Sequence, residues 1–98
     1  MQIRRTKIIA TLGPATDSPK VLRELLKAGA DVLRINLSHG THEEQAARAK
    51  QVRDVASDLK KEVAILADLR GPKIRIEKFV DGSIELQSGD MFTLDASN

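Results

Sequence analysis

The chain has no cysteine, no tryptophan and no tyrosine, and its aromatic content is two phenylalanines. Each shortage closes a class of function. Without cysteine there is no disulfide framework, no thiolate metal site and no cysteine nucleophile. Two Phe rings leave almost nothing on which nucleobases could stack. No apolar run approaches the ~20 residues of a membrane-spanning helix, so no membrane partner is expected. The start, Met1-Gln2-Ile3-Arg4-Arg5, is basic but has no apolar stretch behind it, and does not read as a secretory signal. Charge of one sign is also missing. Sixteen Lys and Arg against 14 Asp and Glu give +2, and the signs are interspersed, without the basic stripe of a nucleic-acid binder. The expectation is a cytoplasmic soluble protein. Its 98 residues, 41% hydrophobic and 31% charged, suffice for one modest core.

Strand and helix signals alternate along the first two thirds. Lys7 to Leu12 reads as a buried strand stopped by Gly13-Pro14. Asp17 or Ser18 can cap a helix that begins near Pro19, carries the apolar stripe Val21, Leu22, Leu25, Leu26, and ends at Ala28-Gly29. Asp31 to Leu37 is a second strand. Thr41-His42-Glu43-Glu44 is a capping box that opens a helix to about Leu59, with Ala49, Val52, Ala56 and Leu59 on one side. Val63 to Asp68 is a third strand. This β-α-β-α-β order predicts a parallel sheet covered by helices. It does not separate an open doubly wound sheet from a closed barrel. After Gly71-Pro72, Ile74 to Phe79 alternates with period two, Asp81-Gly82 signals a tight turn, and Ile84 to Leu86 and Met91 to Leu94 follow. These predict an antiparallel meander, with a domain boundary near Gly71. A closed barrel needs roughly 250 residues, so both domains read as unfinished.

Ligands of α/β sheets bind at the carboxyl ends of the strands. Those ends hold Thr11, Gly13-Pro14 and Thr16; then Arg34, Asn36, Ser38, His39 and Gly40; then Asp68, Arg70 and Lys73. Period-two alternation puts Arg34, Asn36 and Ser38 on one face of the second strand and Leu33, Ile35 and Leu37 on the other. An unpaired guanidinium is costly to bury, so the polar row should point into a shared interior or cleft. Amide, hydroxyl and Asp68 carboxylate oxygens suit a hard cation. The planar fork of Arg34 suits phosphate or carboxylate. The plainer alternative, an Arg34–Asp68 pair inside a core, leaves the clustering of Asn36, Ser38 and His39 without a reason. His39 is expected to fix the turn or lie beside a ligand. The helix opening after Gly40 is expected to offer free N–H groups to an anion. Lys73, Arg75 and Lys78 can bind phosphate or simply keep an edge strand soluble.

Three stretches carry a family resemblance. Arg5 to Thr16 (RTKIIATLGPAT), Gly29 to Gly40 (GADVLRINLSHG) and Asp68 to Arg75 (DLRGPKIR) resemble, in order, the first three strand motifs of pyruvate kinase, in a bacterial form. The resemblance implies the first three strands and two helices of a TIM-type (β/α)8 barrel over residues 1–70. The start of an inserted small antiparallel β domain would occupy 71–98, and the remaining barrel and a regulatory domain would lie beyond. It implies transfer of the phosphoryl group of phosphoenolpyruvate to ADP, giving pyruvate and ATP, by a homotetramer in the complete protein. Arg34 would contact the substrate phosphoryl group. Asn36, Ser38, Asp68 and the backbone carbonyl of Leu69 would hold a monovalent cation, usually potassium. Asn36 to His39, with Arg75, would approach the nucleotide. The Mg2+ ligands and the catalytic lysine would lie beyond Asn98, so the 98 residues alone are expected to be inactive.

One departure bears on the cation. Potassium-dependent members of the family usually have an acidic residue where this chain has Lys73 and a threonine where it has Leu69. The Lys73 ammonium is a compact point charge that can stand in for K+. The competing reading is a free-standing phosphate-binding or interaction module, which tight phosphate binding by the independently folded chain would favour.

Overall fold

The computed structural model describes residues 3–96. Three strands, β1 (Ile9–Thr11), β2 (Val32–Asn36) and β3 (Ala64–Asp68), alternate with two helices, α1 (Pro19–Ala28) and α2 (His42–Asp58). A single 3-10 turn over Pro14–Thr16 follows β1, where Thr16 Oγ1 both accepts from the Gly13 N–H and donates to the Gly13 carbonyl, each at 3.0 Å. The strands pair in parallel in the order β1-β2-β3. Their register sets Thr11 beside Arg34 and Asn36 beside Asp68.

Both helices lie on the same face of this sheet, because one core collects residues from all of them. Leu22 and Leu26 of α1, Leu33 and Ile35 of β2, and Val52, Val55 and Ala56 of α2 are buried together with Leu12 and Ala30. The apolar row of β2 meets the helices, as period-two alternation requires. The stripe expected on α1 is narrower than predicted. Leu22 and Leu26 are 1% and 0% exposed, whereas Val21 is 43% exposed and faces solvent. A helix packed against a three-strand sheet through one ridge buries an i, i+4 pair before its neighbours.

The ends of α1 are held by backbone and cation. Ser18 occupies the N-cap with extended backbone but makes no side-chain cap bond, and Pro19 follows it. Gly29 ends the helix at φ +121, donating to the Leu25 and Leu26 carbonyls. Lys61 Nζ donates to the carbonyls of Leu26 (2.6 Å) and Ala30 (3.0 Å), so a cation sits on the negative end of the helix dipole. At the amino ends of the strands, Asp31 Oδ2 accepts from the Ile8 N–H at 2.8 Å and from Arg4 Nη2 at 3.4 Å. The Ile8 N–H first, and then the Arg4, Lys7 and Lys61 charges, hold its carboxyl below the usual carboxylate range.

Residues 69–96 differ from the expected meander. Turns form at both expected places, with the Gly82 N–H donating to Phe79 O and the Asp90 N–H to Gln87 O, each at 3.0 Å. Phe79 and Phe92 meet edge to face at 6.4 Å. No strand ladder forms among the described residues of this segment. The physical reason is that its apolar side chains find little to pack on among the described residues. Ile74, Val80 and Met91 are essentially fully exposed, and a lone hairpin with nothing to bury its apolar face is marginal in water.

Candidate functional site

The face of the sheet away from the helices carries Thr11, Arg34, Asn36 and Asp68 toward the carboxyl ends of the strands. Arg34 is anchored on both sides. Its Nε donates to Asp68 Oδ2 at 3.0 Å and its Nη2 to the same oxygen, while Nη1 donates to Thr11 Oγ1 at 3.3 Å. The guanidinium is therefore tied across all three strands. Arginine has five N–H donors; with three used, one remains on each terminal nitrogen. The side chains of the pair are 30% and 43% exposed. The fork is thus oriented by protein and still open to a ligand, which is the preorganised state that planar recognition of an oxyanion requires.

Beyond β2 the chain turns sharply. Asn36 Oδ1 accepts from the Ser38 N–H at 3.0 Å, and the His39 N–H donates to Asn36 O at 3.3 Å. Gly40 takes φ +72 at the end of this turn. Ser38 is half-buried and His39 exposed. The structure therefore brings Arg34 and Asp68 together, and sets Asn36 and Ser38 beside them in one turn. It leaves Leu69, Lys73 and Arg75 in the exposed segment after β3, where Lys73 and Arg75 form no hydrogen bond or ion pair among the described residues.

At the start of α2 a capping box takes part of the expected anion site. Thr41 Oγ1 accepts from the Glu44 N–H at 3.1 Å and Glu44 Oε2 from the Thr41 N–H at 2.9 Å. The capping box takes the Thr41 and Glu44 donors, leaving those of His42 and Glu43, and sets the Glu44 carboxylate beside them.

Sequence reasoning missed a second set of residues. Gln45 is the buried polar side chain of the core at 7% exposure. Its Nε2 donates to Asn36 O at 3.0 Å and to His39 O, and its Oε1 accepts from Arg48 Nη1 at 3.3 Å. Arg48 in turn binds Asp17 through Nε at 2.7 Å and Nη2 at 3.0 Å. This bidentate contact lowers the Asp17 pKa and raises that of Arg48. The signal was present: Gln45, Ala49, Val52, Ala56 and Leu59 share one helical register, so Gln45 stands where the apolar stripe calls for a hydrophobe.

The fold is thus an α/β unit of consecutive parallel strands with an anchored guanidinium at their carboxyl ends. Comparison with known proteins narrows it. Residues 3–98 match the family model "Pyruvate kinase, barrel domain". The chain is 53% identical over 95 residues to a pyruvate kinase of Haemophilus influenzae, covering 97% of this chain and 20% of that protein. It is 51% identical over 96 residues to pyruvate kinase II of Salmonella typhimurium, covering 98% and 20%. A pyruvate kinase of Staphylococcus aureus is 48% identical over 88 residues, covering 90% and 15%. The chain belongs to the pyruvate kinase family. It spans about a fifth of the length of the first two of these curated relatives.

Proposed function

We propose that this chain supplies the substrate-phosphate and monovalent-cation side of a pyruvate kinase, which moves the phosphoryl group of phosphoenolpyruvate to ADP. The observation that carries the reading is Arg34, fixed by Asp68 and Thr11 with one N–H left on each terminal nitrogen. Phosphoryl transfer leaves little covalent chemistry to the protein, and catalysis rests on positioning and charge stabilisation. A guanidinium already oriented by two partners meets that need. It draws the oxygens of the transferring group into one place and offsets the charge they carry. The P–O bond to the enol oxygen breaks, a P–O bond to the terminal oxygen of ADP forms, and protonation of the enolate gives pyruvate.

Asn36, Ser38, Asp68 and the Leu69 carbonyl are all oxygen donors, which suits a hard monovalent cation. Such a cation would screen the negative charges of the two substrates. In this chain Lys73 is proposed to take that role, its ammonium replacing potassium and Leu69 removing the hydroxyl that potassium-dependent members use. Asn36, Ser38 and His39, with Arg75, form the nucleotide side. Mg2+, whose ligands would lie in the rest of the protein, would supply further electrostatic stabilisation of the transferring group.

The consecutive strand order, with both helices on one face, supports a barrel wall. One half of a doubly wound sheet begins the same way, and the match to a barrel-domain family model favours the barrel. We place the barrel portion at 1–70 and the inserted β domain from 71, in a cytoplasmic homotetramer. The test is a coupled assay of pyruvate release from phosphoenolpyruvate and ADP. The complete protein should turn over and the 98-residue chain should not. Silence of the complete protein, or turnover by the short chain, overturns the reading.

A further inference from the structure

Buried amides in a helix–sheet core need a reason, because an unsatisfied polar group there costs more than an apolar replacement. Gln45 is satisfied at every position, and its partners explain its identity. Asn36 O and His39 O are acceptors only, and Arg48 is a donor only. A side chain that donates at one end and accepts at the other is required, in the orientation seen: Nε2 to the two carbonyls and Oε1 to Arg48. The two carbonyls bracket the turn that carries Asn36, Ser38 and His39. Arg48 extends the contact to Asp17 (2.7 and 3.0 Å), and Gln51 Nε2 donates to Asp17 O at 2.9 Å. One face of α2 thus grips two loops at the carboxyl edge of the sheet, the one after β1 and the one after β2.

We propose that Gln45 is a positioning residue for the phosphoryl-transfer reaction, holding the Asn36–Gly40 turn in its nucleotide-binding shape. The inference rests on the pyruvate kinase reading above. It adds that the shape of the turn is set from beneath by a side chain that touches no substrate. The turn's own bonds, Ser38 N–H to Asn36 Oδ1 at 3.0 Å and His39 N–H to Asn36 O at 3.3 Å, close it locally. The Leu37 N–H ties its first half to β3, donating to Asp68 O at 3.0 Å, and Gln45 ties both its ends to α2 through Asn36 O and His39 O. Gly40 leaves room for this grip, since a Cβ there would lie 3.3 Å from Gln45 Nε2 and 2.7 Å from Glu44 Oε2.

The test uses the complete protein with Gln45→Glu and Gln45→Met. The first keeps the shape but turns an acceptor toward two carbonyls. The second keeps the length and removes both functions. Melting temperature, kcat and the separate KM values for ADP and phosphoenolpyruvate are measured, together with hydrogen exchange over residues 36–41. Two lost hydrogen bonds correspond to a change of about tenfold or more. The expected result is a rise of that size in KM for ADP or fall in kcat in both variants. Exchange over the turn should quicken, with KM for phosphoenolpyruvate within about twofold of wild type. A residue that merely supports the fold would lower the melting temperature and the active fraction while leaving both KM values and the exchange of the turn unchanged. That result, or wild-type kinetics in both variants, overturns the proposal. A wild-type protein silent toward phosphoenolpyruvate and ADP would sink the underlying reading, and the positioning role with it.

Discussion

Replacing Arg34 with lysine is the sharpest test of the site, because charge is kept and geometry is lost. The guanidinium makes three bonds within the protein: Nε to Asp68 at 3.0 Å, Nη2 to Asp68, and Nη1 to Thr11 at 3.3 Å. It still has an N–H on each terminal nitrogen for the substrate. An ammonium has a single nitrogen. It can stay on Asp68 or reach a phosphoryl oxygen, but it cannot present two parallel donors while anchored. Charge-assisted hydrogen bonds contribute about 1.5–3 kcal/mol each. If one of two substrate contacts is lost, about 2 kcal/mol of transition-state stabilisation goes, or roughly 30-fold in kcat/KM. Stability should change little. The Arg34 and Asp68 side chains are 30% and 43% exposed, and pairs of that kind contribute about 1 kcal/mol or less to folding. The assay is kcat/KM for phosphoenolpyruvate in the complete protein at saturating ADP, beside a thermal melt. An Arg34→Lys variant within about threefold of wild type would refute the assignment of Arg34 to the substrate. A collapse of the melting temperature by ten degrees or so would instead show that the pair holds the sheet together.

Three further outcomes are expected. The wild-type complete protein should show no activation by potassium at constant ionic strength, and Lys73→Glu should create a potassium requirement; strong potassium activation of the wild type defeats the substitution argument. Gly40→Ala should destabilise by about 1–2 kcal/mol, from a side chain forced to φ +72 and a Cβ placed 2.7 Å from the Glu44 carboxylate of the capping box; denaturant melts of the complete protein check it. The Asp31 carboxyl is held below its usual range by the Ile8 N–H and nearby cations. Its contribution is therefore fully present above the unfolded value of about 3.9 and lost as pH falls through the lower folded value. Asp31→Asn should lower the melting temperature at neutral pH, with the gap to wild type closing below about pH 4; a constant gap from pH 7 to 3 contradicts the linkage.

Much of the fold could be read from local signals, because each element announces its own ends. Thr41 and Glu44 satisfy each other's backbone donors within four residues, so the start of α2 depends on nothing distant. Gly29 ends α1 by adopting φ +121, a conformation its neighbours in sequence resist. The charged row on β2 showed that Arg34 needed a partner, and Asp68 supplies it. What could not be read depends on surfaces rather than periods. The apolar alternation from Ile74 to Phe79 is a strand pattern, yet pairing needs a face on which to bury it, and Ile74 and Val80 are essentially fully exposed. The choice between open sheet and barrel wall also lay outside the pattern. It depends on strands beyond the third, because three consecutive parallel strands with both helices on one face begin either architecture.

The same reasoning explains why Gln45 escaped notice while Arg34 did not. A charge in a buried strand is anomalous alone, since no single-residue environment makes it cheap. A glutamine near the start of a helix is ordinary until the register of the helix is laid against the loop before it. Its meaning then comes from Asn36 O and His39 O, two carbonyls that no sequence motif encodes, at the point where β2 stops pairing and has spare acceptors. Functional side chains that touch ligands are selected for what they are. Those that hold them in place are selected for what the backbone leaves unsatisfied. The outer residues of a site are therefore found by asking where each loop's carbonyls and N–H groups go. In this chain that question leads from the turn after β2 to Gln45, and through Arg48 to Asp17 in the loop after β1.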